Sequence, residues 1–175
     1  LDETSGTTVA DAKGTNAGAV VNNTAPTWTT GKVGNAVSLD GINDCVQMSG
    51  LTTALVFPYT TAIWVKHNVT GGRLITHSSS LTVSQINSNT SIAAIFDSAG
   101  NDFLMSNTVA ALGTAWHHIA FAWTSSSSFK IYLDGVDTGG TITGPAPAGS
   151  WGLPAGLALG GACGLAGSDA NDHLD

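Results

Sequence analysis

The chain has 175 residues, of which 42% are hydrophobic and only 10% are charged, with a formal net charge of -7 at pH 7. The five lysines and arginines are scattered at positions 13, 32, 66, 73 and 130, so no basic stripe is present to neutralise a phosphate backbone, and we expect no nucleic-acid partner. No apolar run approaches the roughly 18 residues of a membrane span, so we expect no membrane insertion.

Short strands separated by turn residues are predicted along the chain, and no segment has the pattern of a long helix. The predicted strands lie near residues 33–39, 44–48, 60–67, 73–77, 81–85, 91–97, 103–106, 116–123, 129–134, 136–143 and 157–160. This succession, with 22 glycines and 5 prolines between the strands, is typical of an antiparallel two-sheet β-sandwich. We therefore predict one all-β jelly-roll domain over residues 1–175.

The clearest pattern is a hairpin near the middle of the chain. Ile119, Phe121 and Trp123 alternate with residues of the opposite face, as in a buried strand. A second alternating strand ends at Asp134-Gly135, a pair suited to the positive φ angles of a tight turn. We expect this hairpin to lie centrally in the sandwich.

This hairpin, from Trp116-His117-His118 to Asp134-Gly135, resembles the central hairpin of laminin G-like domains, which belong to the concanavalin A-like lectin and glucanase superfamily. The opening Leu1-Asp2-Glu3 and the run from Leu39-Asp40-Gly41 to Val46 are similar to two further motifs of these domains. The segment from His118 to Trp123 is also similar to the pentraxin His-x-Cys-x-Ser/Thr-Trp signature, with Ala120 in place of the cysteine. The resemblance implies a jelly-roll sandwich for nearly the whole chain.

The resemblance also implies that the outermost strands are missing. Laminin G-like domains usually have a strand before the Leu-Asp-Glu opening and a closing strand that begins at an acidic pair. We therefore expect a domain truncated at both ends, with open sheet edges near Val46 and Leu157 that are covered by another chain or by further polypeptide of the same protein. The pentraxin likeness further implies that Trp64 packs against Ala120 across adjacent strands.

The number and placement of the acidic residues argue against an enzyme. The glucanases of the superfamily cleave sugars with paired carboxylates, but this chain has a single glutamate, Glu3, near its start. Asp134 and Asp137 flank a hairpin turn, where aspartate is favoured for local backbone bonding. We predict a non-catalytic protein with no catalytic residues.

Histidines give no metal-site pattern. Adjacent residues on a strand point to opposite faces, so His117 and His118 cannot share an ion. We interpret His118 as a buried, hydrogen-bonded structural residue.

Calcium is the cofactor for which the sequence offers ligands. Asp169, Asn171 and Asp172 form an oxygen-rich loop that suits either Ca²⁺ or a solvated turn. A second cluster, at residues 40–44, favours turn capping. Cys45 and Cys163 are compatible with one disulfide that closes a long loop or with two buried thiols.

Two functions fit these features. The first is a non-catalytic carbohydrate-binding or adhesion module of an extracellular, cell-surface or virion protein, which contacts glycans through loops at the rim and exposed aromatic residues such as Trp28 or Trp151, although each of these aromatics is more often a core residue. The alternative is a structural sandwich, a decoration or spacer that contacts neighbouring surface or virion proteins. A surface rich in Ser, Thr, Asn and Gly suits both functions. The rim candidates for ligand binding are His77, Asn101, Asp102 and Trp151.

Overall fold

The computed structural model of the chain describes residues 1–51, 57–67, 72–77, 82–88, 90–98, 101–109, 111–125, 128–143 and 156–161. Every helix or strand assigned in these ranges is a β-strand, which confirms the predicted all-β class. The strands are β1 (Thr8–Val9), β2 (Gly18–Val21), β3 (Thr27–Thr30), β4 (Asn35–Ser38), β5 (Cys45–Met48), β6 (Tyr59–Val65), β7 (Gly72–His77), β8 (Thr82–Ser88), β9 (Ser91–Ser98), β10 (Asn101–Thr108), β11 (His117–Ser125), β12 (Ser128–Leu133), β13 (Val136–Asp137), β14 (Thr141–Thr143) and β15 (Leu157–Leu159).

The strands form two main sheets and a separate hairpin. The larger sheet has nine strands in the order β1-β2-β5-β15-β7-β8-β9-β10-β14, and the smaller has four in the order β13-β12-β11-β6. Strands β3 and β4 pair only with each other in the described part of the chain. All of the strand pairs in the two main sheets are antiparallel, as in a sandwich of the jelly-roll type.

The main core lies between the two sheets. The four-stranded sheet contributes Phe121 and Trp123, which are 0% and 1% exposed, and the nine-stranded sheet contributes Leu74, Ile86 and Ile92. These large apolar side chains belong to one buried cluster, so their burial holds the two sheets together.

The predicted central hairpin is confirmed. Strands β11 and β12 are the two inner strands of the four-stranded sheet, and Ile119 pairs with Leu133. After β12 the chain turns at Asp134 and Gly135, whose φ angles are 51° and 83°, as expected for this dipeptide in a two-residue loop.

The expected open edges near Val46 and Leu157 are wrong. Val46 pairs with Val20 on one side and Leu159 on the other, and Leu157 pairs with both Met48 and His77. Strands β5 and β15 are therefore interior, because β2, a strand of four residues that the pattern did not predict, covers β5.

The expected contact between Trp64 and Ala120 is also wrong. Strands β6 and β11 are adjacent as expected, but Ala62 pairs with Ala120, and Trp64 pairs with His118. The offset is two residues, so the faces stay the same while the partners change. Trp64 is 40% exposed and lies on the outer face of the sheet, opposite the face with Ile119 and Phe121.

The predicted strand 136–143 is in fact two strands in different sheets. Strand β13 joins the four-stranded sheet and β14 joins the nine-stranded sheet. Gly139 and Gly140 lie between them with φ angles of 69° and 126°, which suit glycine and interrupt the extended backbone. The chain therefore passes from one sheet to the other at this point.

Candidate functional site

A cleft of about 360 Å³ lies where the β3–β4 hairpin faces strand β6. Strand β6 is the last strand of the four-stranded sheet, and Ile63 and Val65 line the cleft from this side. Val46 and Leu159 of the nine-stranded sheet also line it. Part of the lining is therefore apolar and comes from the strands of both sheets.

The hairpin presents hydroxyl groups to the cleft. Thr27 and Thr29 alternate with Trp28 on β3, and Ser38 pairs with Thr27 across the hairpin. All three hydroxyl residues are exposed and line the cleft. Because successive side chains of a strand point to opposite faces, this alternation gives the hairpin one polar and one apolar face.

Trp28 packs the apolar face of the hairpin against the rest of the domain. Its indole N–H donates a hydrogen bond to the Gly6 carbonyl at 2.9 Å, and its ring packs on the buried cluster that contains Val9, Val20 and Val46. The sequence left two alternatives for Trp28, an exposed glycan contact or a core residue. The structure agrees better with the second, since Trp28 is half-buried and supports the wall of the cleft.

The tip of the hairpin is held by the start of the chain. The Asp2 carboxylate accepts the backbone N–H of Asn35 at 2.8 Å, and the Gly31 N–H donates to the Gly34 carbonyl at 2.9 Å. Gly34 has a φ of 61°, and a Cβ there would overlap the Asp2 carboxylate, so glycine is required. These contacts fix the position of Lys32, which lies in the same loop.

Two tryptophans and one lysine line the cleft, and a second lysine lies over one of the tryptophan rings. Trp64 and Trp116 both line it, as does the exposed Lys66. The Lys32 ammonium lies 5.4 Å from the centroid of the Trp64 ring, within the range of a cation–π contact. The His118 ring is tilted by 59° against Trp64, with 5.2 Å between the centroids. Trp64 is therefore oriented by neighbours on two sides while 40% of it stays exposed.

The position of Trp116 is fixed by hydrogen bonds that the next two residues, His117 and His118, make with Asp134 and Leu112; we call this set of hydrogen bonds the brace. His117 Nδ1 lies 2.7 Å from the Asp134 carboxylate and Nε2 lies 2.9 Å from the Leu112 carbonyl, while the His118 N–H donates to Asp134 at 2.9 Å. Burial opposes ionisation of Asp134, but the hydrogen bonds from His118 and His117 hold its pKa below the usual 3.8. The prediction for His118 is wrong in part, because its ring is half-buried on the outer face and His117 makes the side-chain hydrogen bonds.

The structure places the predicted rim residues away from this cleft or does not describe them. His77 is only 3% exposed, its Nδ1 has no hydrogen-bond partner among the described residues, and burial lowers its pKa to about 4. This neutral ring is not accessible to a ligand from solvent. Asn101 and Asp102 begin β10 and pair with Ser98 and Asp97. Trp151 lies outside the described residues.

The predicted calcium ligands Asp169, Asn171 and Asp172 also lie outside the described residues, so calcium binding there stays a prediction. Within the described residues, no group of three or more His, Cys, Asp or Glu side chains is arranged to hold a metal ion. Cys45 is fully buried and is not a free thiol, whereas Cys163 lies outside the described ranges. Their pairing therefore also remains a prediction.

The cluster at residues 40–44 caps a turn. The Asp40 carboxylate accepts the Ile42 N–H at 2.8 Å. The buried Asp44 carboxylate accepts the Asp40 N–H at 2.8 Å and the Asn23 amide at 2.9 Å. Burial raises the pKa of Asp44, so these two donors are what stabilise its charge. The carboxylates thus act in the turn-capping role that the sequence favours.

The residues of the cleft were missed because their pattern was interpreted as structural. One signal was available in the sequence, since Trp64 and Lys66 are two residues apart and therefore share a face of β6 and its extension. The alternation of Thr27, Trp28 and Thr29 was a second signal. Neither indicates that the hairpin and β6 lie side by side.

Matches among solved structures include two of low sequence identity. The chain has 15% sequence identity and a TM-score of 0.49 to carbohydrate-binding module CBM66 from Bacillus subtilis, over 81% of this chain and 90% of the module. It has 12% identity and a TM-score of 0.51 to the ligand-binding domain of Botulinum neurotoxin serotype D, solved in complex with N-acetylneuraminic acid. That match covers all of this chain and 45% of the toxin chain.

Curated protein sequences gave no match to the chain. In the described part of the chain, no helix is long and apolar enough to cross a membrane. A family model of the laminin G type matches residues 40–168, well over half of the chain. The chain therefore belongs to the concanavalin A-like lectin/glucanase superfamily.

Proposed function

We propose that the protein is a non-catalytic carbohydrate-binding module and that the cleft between the β3–β4 hairpin and β6 is its binding site. The observation that supports this proposal best is the combination of an exposed Trp64 with the hydroxyls of Thr27, Thr29 and Ser38 around one cavity. Sugar rings have apolar C–H faces that pack on aromatic rings, and their hydroxyls need hydrogen-bond partners. Both needs are met in this cleft.

Membership of the superfamily agrees with this proposal, since lectins and glucanases both bind carbohydrate. Glycoside hydrolysis in addition requires two carboxyl groups placed on either side of the scissile bond. No Asp or Glu is among the described residues that line the cleft, and both oxygens of Glu3 accept backbone N–H groups, those of Asp2 and Ala10. We therefore propose that a bound sugar stays intact.

An extracellular location fits the same proposal. Disulfides persist in oxidising compartments, and Cys45 is not a free thiol. Glycans of cell surfaces and extracellular matrices would be accessible to a module in that location.

The test is a glycan array with neutral and acidic saccharides, followed by calorimetry on the strongest ligand. We expect Trp64→Ala to weaken binding roughly twofold to tenfold, because it removes an aromatic packing contact of about 0.5–1.5 kcal/mol. Tyr132→Ala is a matched control, since Tyr132 lies on the same sheet but does not line the cleft. Absence of binding to every saccharide, or equal losses in both variants, would contradict the proposal.

A further inference from the structure

Positive charge is concentrated at the cleft of an otherwise acidic protein. The chain has 5 Lys and Arg against 12 Asp and Glu. Of these five, Lys66 lines the cleft and Lys32 lies over its Trp64 ring. No acidic side chain is among the described residues of the lining.

Among the residues that the structure describes, these two lysines have no carboxylate partner. Lys130, on another part of the same sheet, is neutralised by Asp137 at 2.6 Å. Within the described part of the chain, neither Lys32 nor Lys66 has a carboxylate partner of this kind. Asp2, the acidic residue that contacts the hairpin tip, already accepts the Asn35 N–H.

The position of Lys32 distinguishes neutral from charged ligands. A sugar that packs on the face of Trp64 under Lys32 has to displace the ammonium from the ring, which gives up a cation–π contact. A ligand with its own negative charge compensates this loss, because the displaced ammonium can pair with it. Other acidic groups of the protein oppose such a ligand weakly, since charges more than about 8 Å away are largely screened at physiological salt.

The spacing of Trp64 and Lys66 indicates where that charge should be. The two residues are on one face and about 7 Å apart along the strand direction. A carboxylate attached directly to a sugar ring that packs on Trp64 projects from the edge of the ring, within reach of the flexible lysine side chain. A charge on a distant residue of a longer chain would not be held in this way.

We propose that the cleft selects an acidic saccharide, one whose sugar ring has a carboxylate, with Trp64 packing on the ring and Lys66 and Lys32 binding the carboxylate. This inference rests on the proposed carbohydrate-binding function and specifies its ligand class. Uronic acids and sialic acids share this chemistry.

The experiment compares charged ligands with their neutral counterparts by calorimetry on the intact protein. The pairs are oligogalacturonate with its methyl ester, and sialyllactose with lactose, so that the two sources of a sugar carboxylate are tested separately. A third pair, a sulfated glycosaminoglycan oligosaccharide and its desulfated form, tests a different anion. Lys66→Met and Lys32→Met are compared with Lys13→Met, which removes a lysine that does not line the cleft.

We expect at least one carboxylated sugar to bind more tightly than its neutral counterpart and to lose that advantage as salt rises from about 50 to about 500 mM. Each cleft variant should weaken binding of the acid by about threefold to fivefold and so reduce its advantage over the neutral sugar, while Lys13→Met keeps that advantage. Equal binding of acid and neutral sugars, or preference for the sulfated ligand, would overturn this inference and leave the proposed function intact. Failure of every saccharide to bind would instead reject the proposed function itself.

Discussion

The assignment of inner and outer faces in strand β11 can be tested with two neighbouring substitutions. Phe121 is fully buried in the cluster between the sheets, so Phe121→Ala leaves a cavity, at an expected cost of about 3–5 kcal/mol. Because a domain of this kind is stable by only about 5–15 kcal/mol, that is a large share of the total. Ala120 lies on the opposite face of the strand and outside that cluster, with Ala62 and Tyr132 as its cross-strand partners, but it is itself only 8% exposed. A leucine there has to move neighbouring outer-face side chains and not the packed core, so we expect Ala120→Leu to cost about 1 kcal/mol, clearly less than Phe121→Ala.

The assay is urea unfolding followed by circular dichroism and tryptophan fluorescence, with the free energy of unfolding taken from both signals. A loss in Ala120→Leu as large as that in Phe121→Ala would show that Ala120 is packed in the core and not on the outer face. A small loss in Phe121→Ala would refute the placement of the main core. Either result would also contradict the assignment of Trp64 to the outer face of the sheet.

Two further predictions concern the brace and the cysteines. The folded-state pKa of Asp134 lies below 3.8, so its stabilising contribution is complete above that pH and is lost as the pH falls through the lower folded value. The difference in thermal midpoint between the protein and Asp134→Asn should therefore shrink below about pH 4; a constant difference from pH 7 to pH 2.5 would show that the charge of Asp134 is irrelevant. If Cys45 is bonded to Cys163, reduction should lower the stability by about 2–4 kcal/mol, and detection of two free thiols in the denatured, unreduced protein would disprove the bond.

Local patterns account for what was predicted correctly in the fold. The β11–β12 hairpin could be predicted because alternation of Ile119, Phe121 and Trp123 fixes the buried face and Asp134-Gly135 fixes the turn. Alternation does not fix the register, because a slip of two residues keeps every side chain on its face. The error that paired Trp64 with Ala120 instead of His118 is a slip of this size.

Long-range pairing explains what could not be predicted. Strand β2 has only four residues, and its partner β5 is more than 20 residues away, so no local signal indicates that it covers β5. The candidate site could not be predicted for the same reason. Lys32 and Trp64 meet because a separate hairpin lies beside the last strand of a sheet, and this arrangement depends on the packing of the whole domain.

The most direct test of the central claim is an NMR titration of isotopically labelled protein with the saccharide that binds best. If the cleft is the binding site, the largest shifts should occur in the amides of residues 27–38 and 63–66 and in the indole N–H of Trp64. The indole N–H of Trp123, which belongs to the buried core, should change little. Shifts concentrated on other loops, with Trp64 unaffected, would contradict the proposed site.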